Sequence, residues 1–211
     1  MLTKTQTARP KARPKVRALP RDDWPIVETL FGKNGACGGC WCMAWRVERG
    51  GKLWEQCKGA KNKRAFKKLV TTGKAFGCLA FVGDEPVGWC SIGPRRDFPR
   101  LQRSRVLKTD WSDTTWSVTC FYIPARWRHR GVATALLTEA IKIARAHGAT
   151  QLEGYPVRPY GPDKSDIPAA FAWTGIPKLF EKLKFTNIAP PGHSRDIYRK
   201  RFRQPSRTAR P

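Results

Sequence analysis

Acidic side chains are scarce in this chain: 16 Asp and Glu stand against 41 Lys and Arg in 211 residues, a formal net charge of +25. No apolar run reaches the roughly 20 residues that a membrane span needs, and the first residues lack the apolar centre of a secretory signal. A membrane location is therefore not expected, and a cytoplasmic one is. Histidine is limited to His129, His147 and His193, none in a visible catalytic triad. The seven cysteines are an odd number without a secretory leader, so reduced thiols are expected in place of a disulfide framework. Cys37-Gly-Gly-Cys40-Trp-Cys42 looks like half a zinc site, but no second Cys-x-x-Cys or His pair completes it, and no metal is assigned. Redox or thiol reactivity remains open for this loop, beside the simpler reading of a tight glycine turn with buried thiols. There is no internal repeat and no nucleic-acid-binding motif.

The basic excess is spread along the chain. Residues 1 to 21 carry seven basic and no acidic side chains, and residues 195 to 211 carry seven basic and one acidic. These ends hold +13, which leaves +12 of the +25 on the middle. Residues 1–15 mix prolines with isolated basic residues and show no apolar periodicity, so a flexible basic arm is expected there and a second one at 204–211. Such arms reach for nucleic acid or acidic lipid, or simply solubilise; a transit peptide would need an amphipathic helix that is not visible. The span 16–203 has the length of a single domain.

Within it, Val16–Leu19 reads as a strand, and Asp22 or Asp23 caps a helix over DDWPIVETLF with Pro25 in its first turn. A helix from about Asn62 to Thr72 follows the cysteine loop, with Ala65, Phe66, Leu69 and Val70 on one face. GCLAFV and VGWCSI form a hairpin about Gly83-Asp84-Glu85-Pro86. Residues 93 to 108 are a basic connection with six Lys and Arg and one Asp. WSVTCFYI is a strand, GVATALLTEAIKIARAH an amphipathic helix stopped by Gly148, and QLEGY the next strand. Pro177 to Leu183 reads as a short helix, with closing strands in FTNIA and RDIYRKRF.

The junction Arg128-His129-Arg130-Gly131-Val132-Ala133 carries the chemistry. A helix N-terminus presents unpaired N–H groups and about +0.5 of a charge; Gly131 admits a close phosphate and the arginines add positive potential. A strand, this R-x-x-G-x-A turn, a four-turn helix and a further strand together resemble the core of the GNAT acetyltransferase superfamily, whose signature is Q/R-x-x-G-x-G/A, and in particular a bacterial-type subgroup with a CGGCWCM loop. The resemblance implies an α/β (α+β) fold whose mixed sheet of six or seven strands splays at the acetyl-CoA site. It implies acetyl-CoA as cosubstrate, with Arg128, His129, Arg130, Gly131, Val132, Ala133 and Thr134 around the pyrophosphate and the backbone of Phe121 and Ile123 along the pantetheine. Trp41, Cys42 and Trp173 would line the acceptor side. The expected reaction is acetyl transfer to the primary amine of a small molecule, such as an antibiotic or metabolite; the alternative is a nucleic-acid-associated or acyl-CoA-sensing protein on a catalytically weak GNAT fold. Homodimer formation is left open, and nucleic acid held by the basic tails is not favoured.

Two departures from the family pattern stand out. Phe180 occupies the position of the tyrosine that protonates the leaving thiolate, and Lys184 replaces a glycine. Tyr122 and Tyr155 are the candidate acids by strand position. An alkylamine with a pKa of roughly 10.4 must lose a proton to react, and Glu153, in an otherwise apolar and aromatic run, is the candidate base; a structural hydrogen bond is its alternative role.

Overall fold

The computed structural model describes residues 13–48, 52–158 and 172–203. Of the arm expected at residues 1–15, residues 1–12 lie outside the described residues, as does the tail at 204–211, and Lys15 already belongs to a strand. The chain runs β1 (Lys15–Ala18), α1 (Trp24–Phe31), α2 (Lys52–Cys57), α3 (Ala60–Thr71), β2 (Phe76–Val82), β3 (Glu85–Pro94), α4 (Pro99–Arg103), β4 (Thr115–Tyr122), α5 (Val132–Ala146), β5 (Gln151–Gly154), α6 (Pro177–Lys182), β6 (Thr186–Asn187) and β7 (Tyr198–Arg201). The strands form one sheet in the order β1-β2-β3-β4-β5-β7-β6, antiparallel except for the β4–β5 pair. This is the mixed seven-stranded sheet that the sequence led us to expect. Among the described residues no helix is long and apolar enough to cross a membrane.

Strand alternation divides the core between the two faces of the sheet. Cys78, Ala80, Cys90 and Ile92 face α5, whose Val132, Leu136, Leu137, Ala140, Ile143 and Ala144 form its buried stripe. Leu79 and Trp89 face the other way, against Phe31 of α1 and Phe66 and Val70 of α3. A third cluster, Phe98, Leu101, Leu107, Tyr155 and Ile197, closes the end of β5 and β7. Gly148, at φ +77°, ends α5 as its position predicts.

Local expectations fail in two places. Asp23 stands at the N-cap of α1 but makes no capping bond, because its carboxylate pairs with Arg17 of β1. Helix α2, with no buried residue and no apolar stripe, had no signature to read.

The feature that positions the site is an incomplete strand pair. β4 pairs with β5 only from Thr115 to Val118, opposite Gln151 to Gly154. Its remaining residues stay on β3, with Cys120, Phe121 and Tyr122 opposite Ser91, Cys90 and Trp89 and a register shift that leaves Thr119 unopposed. The two parallel strands thus share a closed base and an open, V-shaped end. Phe180 of α6 packs at the closed base, so close to Gly154 that a Cβ there would lie 2.1 Å from its ring.

Candidate functional site

The open end of the V leads into the turn before α5. Trp127 is buried beneath that turn and donates through Nε1 to Glu85 at 3.0 Å, while Arg126 pairs with the same carboxylate. These partners hold Glu85 below the usual carboxylate range, Arg126 contributing most. The Arg128 Nε donates across the turn to the Ile123 carbonyl at 3.0 Å, and the Arg130 guanidinium lies 4.9 Å from the centre of the Trp127 ring. His129 is exposed at φ +59°, and Gly131 takes the left-handed value φ +79°. Open space surrounds the position of a Gly131 Cβ, so its glycine answers to backbone conformation and to approach from outside.

The first regular bond of α5 runs from Ala135 N to Gly131 O at 3.0 Å. The amides of Val132, Ala133 and Thr134 therefore precede the helical ladder, and those of His129, Arg130 and Gly131 donate to no backbone carbonyl among the described residues. Flanked by Arg128 and Arg130, this concave run of donors suits a phosphate or pyrophosphate. It opens onto the edge of β4 that β5 has left, so an extended ligand arm would find unpaired backbone there.

Glu153 lies at the closed base of the V, and the structure overturns its expected role as base. It is fully buried; Oε2 accepts from Arg95 at 2.8 Å and from the Tyr155 hydroxyl at 2.9 Å, and Oε1 accepts from Arg199 at 2.7 and 3.1 Å. Two guanidinium groups and a tyrosine hydroxyl occupy its lone pairs, so its alternative role, a structural hydrogen bond, is the one observed. Tyr155 belongs to the same cluster: its hydroxyl also meets Arg95 and lies 2.8 Å from Ser117 Oγ. Burial, first, and then the Glu153 charge push its pKa up, and it is walled off from the V, which removes it as a candidate acid. Arg95 and Arg199 were missed because nothing local separates them from the other arginines of two basic segments.

Tyr122 differs from both. It is half-buried at the open end of β4, its ring 5.6 Å from that of Phe31, and its hydroxyl makes no hydrogen bond among the described residues. Burial raises its pKa, so it is protonated at neutral pH. Phe180, in the expected tyrosine position, is fully buried against Phe121, Phe185 and Tyr198.

The three residues expected on the acceptor side part company. Trp41 is only 4% exposed and packs on Trp24 and Phe31, each at 5.7 Å between ring centres; it belongs to the core. Cys42 is buried beside it, accepting from the Trp89 indole N–H at 3.1 Å. Hydrogen bonding from Cys120 on β4, then from Trp89 and Ser91, outweighs burial and lowers the Cys42 pKa to about 7. Trp41 and Cys42 both adopt positive φ, at 43° and 57°, so this loop holds strain where it meets the sheet. Trp173, with Trp45 of the same loop, lines a cavity of about 480 Å³ beside the end of β5. All seven cysteines are free thiols, and among the described residues no group of three or more His, Cys, Asp or Glu side chains is arranged to hold a metal.

Two outcomes follow from this geometry. Glu153→Gln leaves the buried Arg95 without a counter-charge and Arg199 with Asp110 alone, 2.7 Å away, and should cost about 3 kcal/mol of stability in denaturant unfolding; a variant as stable as the parent would show that the cluster is not structural. Cys42 is buried from alkylating reagents, so its ionisation is followed through the NMR shift of its Cβ, which should titrate with a midpoint near pH 7. In Cys120→Ala the loss of the donated S–H destabilises the thiolate, so the midpoint should move upward; an unmoved midpoint would remove Cys120 as donor.

Comparison with known proteins agrees with this geometry. The family model described as "Acetyltransferase (GNAT) family" matches residues 41–156, a span that holds the turn, α5 and the whole of β4 and β5. No curated protein matches the sequence. Among solved structures, an N-acetyltransferase from Staphylococcus aureus Mu50 superposes with a TM-score of 0.51 at 14% identity, over 90% of this chain and 99% of that one. The PaiA N-acetyltransferase of Thermoplasma acidophilum, solved with coenzyme A, gives the same figures. A GCN5-related N-acetyltransferase from Kribbella flavida matches at 0.51 and 16% identity, over 90% and 98%. At these identities the structural likeness establishes the fold alone, whereas the family model spans more than half of the chain: the chain belongs to the GNAT family of acetyltransferases.

Proposed function

We propose that the protein is an acetyl-CoA-dependent N-acetyltransferase that moves the acetyl group directly to the primary amine of a small molecule. The observation that carries this reading is the V between β4 and β5 with a ring of free amides at its mouth. Residues Arg128 to Thr134 hold the pyrophosphate, with the helix dipole and two arginines opposing its charge. The unpaired edge of β4, through the backbone of Phe121 and Ile123, aligns the pantetheine. Acetyl-CoA supplies an activated thioester.

Tyr122 is the group in this reading that gives its proton to the departing thiolate. Its hydroxyl makes no hydrogen bond among the described residues, and burial keeps the proton on at neutral pH. Cys42 and Cys120 form the polar floor between the cysteine loop and β4, and Trp173 stands on the acceptor side.

Calorimetric titration with acetyl-CoA tests the site. The parent should bind, and Gly131→Glu should abolish binding, because it adds a like charge and a strained side chain where the phosphate sits. Failure of the parent to bind would overturn the reading. With an acceptor in hand, Tyr122→Phe should lower kcat about 10²-fold while acetyl-CoA affinity stays unchanged; an unaltered kcat would remove Tyr122 from proton transfer.

A further inference from the structure

The cavity beside β5 has an unusual lining for a site that receives an amine. Among the described residues its walls include Trp45 and Trp173, their rings 5.7 Å apart, and the side chains of Arg100, Arg103 and Arg195 against one carboxylate, that of Glu48. Glu48 is taken up by Arg103, which also donates to its backbone carbonyl. Arg100 donates to the Ala44 carbonyl at 2.9 Å, and its guanidinium lies 5.8 Å from the centre of the Trp45 ring. Arg195 makes one long bond, 3.4 Å, to the Tyr155 carbonyl, and the neighbouring Asp196 is held by Arg158 and Asn187. Neither Arg100 nor Arg195 has a carboxylate partner among the described residues.

Two buried donors point to what is missing. The indole Nε1 of Trp45 and the Nε of Arg195 are shielded from solvent without a hydrogen-bond acceptor among the described residues. Orphaned buried donors are costly and uncommon, and here they coincide in one cavity with two arginines that have no carboxylate partner among the described residues. Only acceptor groups complete such a lining, and a carboxylate supplies several at once with the opposite charge. The two indoles provide flat apolar walls, and about 480 Å³ suits a compact ligand.

The cavity also lies next to the open V. The turn that bears Trp173 continues into Gly175, where a Cβ would be 3.3 Å from the Phe121 ring on β4, and Gly175 O accepts from Val157 N just beyond β5 at 3.1 Å. A ligand in the cavity therefore stands one turn of chain away from the strand edge assigned to the coenzyme arm.

We infer that the acceptor is an amine that also carries a carboxylate and a flat apolar group, chemically an aromatic amino acid, with the carboxylate on Arg100, Arg195 and Trp45 Nε1. This rests on the acetyltransferase reading above. The same lining disfavours polycationic acceptors such as polyamines or aminoglycosides, which would meet uncompensated arginines.

Matched pairs test the inference. Acetyl transfer is followed by release of free thiol from acetyl-CoA, with tryptophan and phenylalanine set against tryptamine and phenethylamine, which differ only in lacking the carboxylate, and with spermidine as the polycation. The amino acids should show kcat/KM at least tenfold above the paired amines and spermidine. Arg195→Gln and Arg100→Gln should each raise KM for the amino acids about tenfold or more, leave KM for the paired amines within twofold, and leave acetyl-CoA binding unchanged. Equal or better use of the decarboxylated amines, or no turnover and no calorimetric binding of the amino acids to the acetyl-CoA-saturated protein, would overturn the inference while acetyl-CoA binding itself upholds the wider reading. Loss of acetyl-CoA binding in the parent would instead sink that wider reading and this one with it.

Discussion

A buried carboxylate between two guanidinium groups holds the centre of this molecule. Glu153 on β5 joins Arg95, just past β3, to Arg199 on β7, and Tyr155 extends the cluster to Ser117 on β4. Removing three charges from water is expensive, and the arrangement survives because almost every donor and lone pair is used. Its position explains its consequence. Ser117 and Glu153 face each other in the paired part of β4 and β5, so the cluster clamps the sheet at the base of the V, and the strands separate immediately beyond Val118 and Gly154.

The rest of the site follows from that separation. Once β5 turns away, β4 keeps only its β3 partner among the described residues, and one backbone edge there has no ladder. The chain then crosses the buried Trp127 and enters α5 with its first amides unpaired. Edge and turn lie in succession along one stretch from Thr119 to Thr134, so a phosphate-bearing ligand with an extended arm meets both without any movement of the sheet. The paired base sets the direction of the arm, and the core beneath α5 sets the depth of the turn.

Much of this was legible because its signals are local. The R-x-x-G-x-A turn, the apolar stripe of α5, its glycine stop and the β2–β3 hairpin are each decided within a few residues of sequence; the first three stand where the pattern puts them, and the hairpin forms with a tighter turn, Glu85 and Pro86 already pairing in β3 with Val82 and Phe81. The cluster was not legible: Arg95 and Glu153 are 58 residues apart and Glu153 and Arg199 are 46 apart, and an apolar neighbourhood in sequence gave Glu153 the look of a desolvated base. Trp41, Trp45 and Trp173 could not be told apart either. Positive φ at Trp41 and Cys42 turns the loop so that Trp41 enters the core, while Trp45, four residues on, faces the cavity. Periodicity carries no information about a loop whose backbone reverses twice.

The most direct test of the account is residue-resolved amide hydrogen exchange with and without acetyl-CoA. Slowed exchange concentrated at residues 129–134 and at those alternate amides of residues 119–123 that point away from β3 is the predicted result, since β3 pairs with the other amides of that stretch. Protection centred elsewhere, or none at these residues despite saturating ligand, would contradict the placement of the coenzyme between β4 and β5.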